Sequence, residues 1–264
     1  MLSYQHIYHA GNLADVQKHA LLAWMLAYLT RKDKPLSYIE THAGRGLYQL
    51  DAPEAVKTGE AEQGITRILA GQALAADHPL HHAISETRKQ HGEAAYPGSP
   101  LIAASLLRPA DSLHFAELHP QENAALRAAL APWRASVHQQ DGFELAQSLA
   151  PPTPRRGLLL IDPSYEIKAD YARIPGIIAK LHRKWNVGII ALWYPILKDG
   201  SHKTMLNALE AQELPGALRH EVSFPPVREG HRMVGSGMFV VNAPFGAEEE
   251  AARISALFIA AAGR

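Results

Sequence analysis

Residues 157–162, GLLLID, are five residues with no polar side-chain atom followed at once by a carboxylate. A strand with one wet face alternates apolar and polar residues. An unbroken apolar run is instead buried on both faces, as in a parallel sheet covered by helices. Such a sheet needs helical crossovers between its strands, and the chain supplies them. Candidate strands at 36–40 (LSYIE), 112–117 (SLHFAE), 136–140 (SVHQQ) and 187–195 (VGIIALWYP) alternate with helical stretches at 122–133, 142–149, 170–184 and 201–212. The closing runs 219–224 (RHEVSF) and 237–245 (GMFVVNAPF) read as a strand pair, followed by a helix at 247–261. The pattern predicts an α/β fold: a mostly parallel, doubly wound, seven-stranded sheet with an antiparallel edge.

Two stretches fall outside that rhythm. Residues 12–30 place Val16, Leu21, Met25 and Leu29 at helical spacing behind Asn12, which predicts one capped amphipathic helix. Residues 50–95 are alanine-rich, in helical register and without a β run, so they are read as a helical insertion within a single domain spanning 1–264.

Ligands of open α/β sheets bind outside the carboxyl ends of the strands, so the residues that follow each strand carry the chemistry. Here the first strand runs into Thr41-His42-Ala43-Gly44-Arg45-Gly46, and the next three end on Glu117, on Asp141-Gly142 and on Asp162. The glycine turn lets a ligand approach the backbone, and an acid after the second strand suits a ribose diol. A dinucleotide fingerprint would place a third glycine at 49, where Gln49 stands, so NAD is disfavoured. Its acid would also lie about 20 residues past the glycines; the stretch 50–95 accounts for the greater distance to Glu117. Asp141 can accept a hydrogen bond from the exocyclic amine of adenine. A ligand with adenine and ribose but no pyrophosphate fits this set, and S-adenosylmethionine is the candidate. Strand-end acids also serve as helix caps, yet three in succession along one edge favour a ligand.

Asp162-Pro163-Ser164-Tyr165 completes the series. An exocyclic base amine is a poor nucleophile because its lone pair is delocalised into the ring. Acceptors on both N–H groups hold it in a more reactive geometry, and the Asp162 carboxylate and the Pro163 carbonyl can supply them. Tyr165 can then stack on a base that has left its helix or comes from a single strand.

Long ordered blocks are similar to one known family. MLSYxHxxHAGNxADVxKH at 1–19, DKPxxYxxTHAGxGxYQL at 33–50, KTGE at 57–60, YPGSPLIA at 96–103, ELHP at 117–120, RRGLxLIDPxYE at 155–166, ALWYP at 191–195 and SGMxVxNxP at 236–244 resemble the bacterial ribosomal RNA large subunit methyltransferases J, N6-adenine methyltransferases of 23S rRNA. The resemblance implies a Rossmann-like class I methyltransferase fold with an inserted helical subdomain. It further implies S-adenosylmethionine contacts at Lys18, His19, His42, Ser99, Glu117, Asp141, Gly142 and Asp162, catalysis at Asp162 with Pro163 and Tyr165, and contact of Tyr4 with substrate RNA. The implied partner is 23S rRNA, protein-free or in an early assembly intermediate, met by a monomer. One departure stands out: the family pattern is Asp-Pro-Pro-Tyr, and Ser164 replaces the second proline. A proline there would bias Pro163 toward extended backbone and stiffen its carbonyl.

Composition removes other classes. With no cysteine, disulfides, thiolate metal sites and a Cys nucleophile are excluded. The fifteen histidines show no HExxH-like spacing, so no metal is expected. No GxSxG elbow or Walker loop is present. The start lacks a signal peptide's pattern, and the apolar stretch 21–29 is about half a membrane span; a cytoplasmic protein without a membrane partner is expected. Twenty-six basic residues balance twenty-six acidic ones, so RNA must be met by a local patch, for which Arg155-Arg156 is one candidate. The rival readings are an adenine methyltransferase acting on DNA or other RNA, and a nucleic-acid-binding protein of DNA uptake or utilisation that keeps the fold without methyl transfer.

Overall fold

The computed structural model describes residues 5–226 and 230–262. Tyr4 lies outside the described residues. Nine strands form two sheets. β1 (Ser37–Glu40), β4 (Ser112–Ala116), β5 (Ala135–His138), β6 (Gly157–Ile161), β7 (Ile189–Leu197), β8 (Leu218–Ser223) and β9 (Met233–Val241) make one seven-stranded sheet in the order β5-β4-β1-β6-β7-β9-β8. The first five of these strands run parallel, while β9 pairs antiparallel with both β7 and β8. The fold is the expected doubly wound α/β sheet with an antiparallel edge.

The apolar run of β6 has a direct structural cause. β6 lies between β1 and β7, and all five of its residues are buried. Leu158 and Leu160 enter one core layer with Ala20, Leu22 and Met25, while Leu159 and Ile161 enter the other with Ile174, Ile178 and Trp185. Each such leucine contributes roughly 1.5–3 kcal/mol of burial. Continuing the alternation puts Asp162 on the side of Leu158 and Leu160, the side covered by the first helix.

That helix, α1 (Leu13–Thr30), is mostly buried, including the polar side chains Asp15, Gln17, Lys18 and His19, with Leu13, Trp24, Ala27, Tyr28 and Thr30 partly exposed. The reading of an amphipathic helix is therefore corrected: α1 packs between the sheet and the helices α4 (Pro79–His91), α5 (Ser99–Leu106) and α10 (Ala247–Ala262), and it buries polar and apolar residues alike. Asn12 caps it as expected, its side-chain oxygen accepting from the Asp15 N–H at 2.8 Å.

The chain also contains two short strands that the sequence did not reveal. β2 (Leu47–Gln49) and β3 (Ala95–Pro97) pair antiparallel and bring together the two ends of the 50–95 stretch. Between them lie α2 (Pro53–Thr58), a π-helical turn (Glu62–Thr66), α3 (Arg67–Ala70) and α4. On the other face of the sheet, α7 (Gly142–Leu149) starts hard against the end of β1. A Cβ at Gly142 would sit 1.7 Å from the Thr41 carbonyl oxygen. Backbone on both sides of the contact leaves little room for relief, so Gly142→Ala should lower stability by about 2 kcal/mol or more, read as a drop in the urea midpoint at unchanged m-value.

Candidate active site

The order of strands reverses between β1 and β6, and ligand crevices form where such a reversal occurs. A cavity of about 290 Å³ opens there, lined among others by Lys18, His19, His42, Gly44, Ser99, Glu117, Asp162, Pro163 and Tyr165. Nine of the residues singled out from sequence or resemblance therefore share one cavity or rim it. Asp141 and Gly142 are not part of the lining. Asp141 instead caps α7, accepting from the Glu144 N–H at 3.0 Å.

The centre of the cavity is an ionic cluster. Lys18 Nζ lies 2.6 Å from Asp162 Oδ2 and 3.0 Å from Asp15 Oδ1, with the Trp193 ring centroid at 5.4 Å. Burial opposes a charged Lys18, but the carboxylates of Asp15 and Asp162 raise its affinity for the proton above the ordinary value. Asp15 also accepts from His6 Nε2 and from the Gly11 N–H, both at 2.9 Å. Although burial works against it, the charge around Asp15 from His6 and Lys18 holds its carboxyl well below the usual range. His19 is different. Burial pushes it down to about 3, so its 3.8 Å approach to Asp15 is a contact of a neutral ring rather than an ion pair. Its Nδ1 meets the Tyr96 hydroxyl at 2.8 Å. His42 is also neutral, pushed down to about 4 by burial, with Nδ1 2.7 Å from the Thr41 hydroxyl.

The glycine turn and the strand-end acid are joined directly. Glu117 accepts from the Gly44 N–H at 2.9 Å and from the His119 N–H at 2.7 Å, and Gly44 takes a positive φ of 63° that favours glycine. Burial raises the Glu117 carboxyl despite these two bonds. Arg45 reaches over to Glu122 with two bonds of 2.9 and 2.6 Å, fixing the turn to α6 (Pro120–Ala129).

The segment after β6 carries local backbone strain. Tyr165 has φ of 56°, a left-handed conformation that costs a non-glycine residue about 1–3 kcal/mol. It is held there by its hydroxyl, which donates to the Trp193 carbonyl at 2.7 Å, and by its ring, 4.6 Å from that of Tyr171. Among the described residues the Pro163 carbonyl accepts no hydrogen bond. The Ser164 hydroxyl accepts only a long 3.5 Å bond from the Glu166 N–H.

The model of the family described as Ribosomal RNA large subunit methyltransferase D, RlmJ, matches residues 33–262. The chain belongs to this methyltransferase family. The Ribosomal RNA large subunit methyltransferase J of Escherichia coli is 42% identical over 252 residues, 95% of this chain and 90% of that protein. The protein of the same name from Haemophilus influenzae is 37% identical over 253 residues, with the same coverage of 95% and 90%. A crystal structure from Legionella pneumophila shares the fold at a TM-score of 0.84 and 33% identity, covering 94% of this chain and 92% of that one.

Several residues of this RlmJ-family site were not singled out from the sequence. Asp15 sits three residues before Lys18, a helical spacing that pairs acid and base on one face, and that spacing was the available signal. Trp193 lies inside the ALWYP block but carries no spacing signal of its own. Glu40, the last residue of β1, is fully buried and accepts from Ser99 Oγ at 2.5 Å and from the Tyr38 hydroxyl at 2.8 Å. Ser99, implied as a cofactor contact, thus spends its proton on Glu40. Arg155-Arg156, the candidate RNA patch, precedes β6 and lies at the opposite edge of the sheet. Arg156 donates to the Leu29 and Lys34 carbonyls and so does structural work, whereas the Arg155 side chain is exposed with one long 3.4 Å bond to the Asn186 side chain, and only its backbone carbonyl accepts from the Trp185 indole.

Burial raises Glu40 from 4.5 to about 8, against the two donors. A carboxyl raised on folding binds more protons in the native state, so its contribution to stability falls as pH climbs through that interval. Urea midpoints of the wild type should therefore carry a component that declines between about pH 5 and pH 8, and Glu40→Gln should remove it. An unchanged pH profile in the variant would show that Glu40 does not titrate there.

Proposed function

We propose that the chain transfers a methyl group from S-adenosylmethionine to the exocyclic N6 of an adenine in 23S rRNA. The observation that carries the reading is the pairing, inside one cavity, of the Asp162 carboxylate and the unengaged Pro163 carbonyl beside the Tyr165 ring. Membership of a ribosomal RNA methyltransferase family and the names of the curated relatives support the nucleic acid assigned.

The residues present suit the cofactor. Glu117, anchored by two backbone N–H groups, presents carboxylate oxygens to a ribose diol, and Gly44 keeps that wall free of a side chain. Lys18, His19, His42 and Ser99 line the same space, and Asp141 and Gly142 stand beyond its lining at the start of α7, where they would meet an adenine reaching past it. When bound, S-adenosylmethionine supplies an electrophilic sulfonium methyl for in-line attack.

The work of the protein is positioning. Lys18 occupies Asp162 Oδ2 and leaves Oδ1 to accept one amine N–H, while the Pro163 carbonyl accepts the other. Both bonds draw the lone pair out of conjugation with the ring. The proton released when nitrogen gains the methyl has Asp162 as its first acceptor. Tyr165, its ring braced by Tyr171 and its hydroxyl by Trp193, offers a rigid face to the adenine. Tyr4, just ahead of the segment that delivers His6 to Asp15, is placed by the same reading at the RNA, and 50–95 is read as a helical insertion in a single domain. The monomer is the form that acts, on protein-free or early-assembly rRNA.

The test offers labelled methyl donor with protein-free 23S rRNA, assembled subunits and DNA. Label should enter free rRNA, and Asp162→Ala should lower the rate by at least about a hundredfold, the scale of losing a preorganised polar group. Equal labelling by wild type and variant would remove Asp162 from the chemistry; preferential labelling of DNA would change the substrate. Ser164→Pro should match or exceed the wild type in the same assay, because the Ser164 N–H donates to no described group and proline would stiffen the Pro163 carbonyl. A collapse of activity would show that this loop follows other constraints.

A further inference from the structure

Behind Tyr165 lies a second cavity, of about 350 Å³, lined by Tyr165, Lys168, Tyr171, Ser201, Thr204 and Arg232 together with Ala172 and Leu197. It adjoins the first: Tyr165 and Leu197 line both, and Arg232 lies between His231 and Met233, which face the first cavity. The two cavities differ in chemistry. The first is built around buried carboxylates, whereas the second collects two cations and four hydroxyl side chains, of which that of Tyr165 already donates to the Trp193 carbonyl.

Lys168 has no ionic partner among the described residues and is exposed. Arg232 is paired with Asp199 at 2.5 Å, both side chains well exposed at 64% and 43%. Exposed pairs of this kind are weak, so an incoming anion can compete for the guanidinium. Asp199 is the acid at this rim, and its charge is already answered by Arg232 and by the backbone N–H and hydroxyl of Ser201. The Tyr171 hydroxyl is buried with no hydrogen-bond partner among the described residues. A buried hydroxyl without a partner is costly, and a ligand oxygen would satisfy it.

A base stacked on Tyr165 in the first cavity carries its ribose and phosphates out across the wall that the two cavities share. We propose that the second cavity is the subsite for an RNA backbone phosphate next to the target adenosine, bound by Lys168 and Arg232 with the hydroxyls of Thr204 and Tyr171. The inference rests on the reading of the first cavity as the adenine site. Phosphate contacts position a nucleic acid without reading its sequence, so this subsite fixes where the strand lies while Asp162 and Pro163 select the amine. It also supplies local positive charge on a chain whose total charge is balanced.

The experiment measures binding of a fluorescein-labelled, mixed-sequence single-stranded RNA by anisotropy between 50 and 200 mM salt, roughly the range over which phosphate contacts show their salt dependence. It compares the wild type, the double variant Lys168→Gln/Arg232→Gln, and Lys32→Gln as a charge control at the opposite edge of the sheet. The double variant should bind RNA about tenfold more weakly and lose about 1 from the slope of log K against log salt. S-adenosylmethionine binding by calorimetry should be unchanged, and in 23S rRNA methylation KM should rise with kcat held. An RNA affinity and salt slope equal to the wild type's, or the same loss in Lys32→Gln, would overturn the subsite, as would a wild type that binds no RNA. Because binding is read without the methyl donor, a wild type that binds RNA but never methylates it would sink the proposed reaction and leave the phosphate subsite standing.

Discussion

A buried ammonium held between two carboxylates ties the first helix to the carboxyl edge of the sheet. Lys18 meets Asp15 on its own helix and Asp162 at the end of β6, and all three are nearly or wholly out of water. Desolvating three charges is expensive, and removing one member would leave an uncompensated charge inside, which is more damaging than never having had the group. The cluster accordingly constrains everything around it. α1 turns its polar residues at 15, 18 and 19 into the cavity while its apolar ones fill the core on either side. The segment before it is drawn in as well, since His6 and the Gly11 N–H both close on Asp15.

The same cluster decides what Asp162 can do. With Oδ2 held by Lys18, the carboxylate cannot rotate freely. Downstream, Tyr165 is kept in a left-handed conformation by bonds to β7 and by its neighbour ring. Strain of that kind persists only where the surroundings over-determine it, and it gathers at sites that bind or react. The strand end is thus rigid on both sides of Pro163, which weakens the case for Ser164 as a fatal departure from the family pattern.

Much of this was legible in the residues. The apolar run of β6 announced a strand buried on both faces, and the acids after β4 and β6 line the cavity at its end, while the acid after β5 caps α7. Glycine at 44 was readable as a turn, and its bond to Glu117 links the two signals. Other features depend on contacts that no local pattern reports. The burial of the polar residues of α1 follows from elements as distant as β6 and α10, so its helical periodicity looked like that of a surface helix. β2 and β3 are three residues each and pair across the whole 50–95 stretch. Glu40 reads as an ordinary strand end until Tyr38 and Ser99 are seen to converge on it. Arg156 looked like half of a basic patch because charge is visible in a sequence and the carbonyls that consume it are not.

The account stands on an exocyclic amine being the group held between Asp162 and Pro163. Digesting 23S rRNA to nucleosides after reaction with the wild type and identifying the methylated one by mass spectrometry tests that claim most directly. The account predicts N6-methyladenosine as the new nucleoside. A methyl on a ring nitrogen, on a ribose hydroxyl or on cytosine would contradict it.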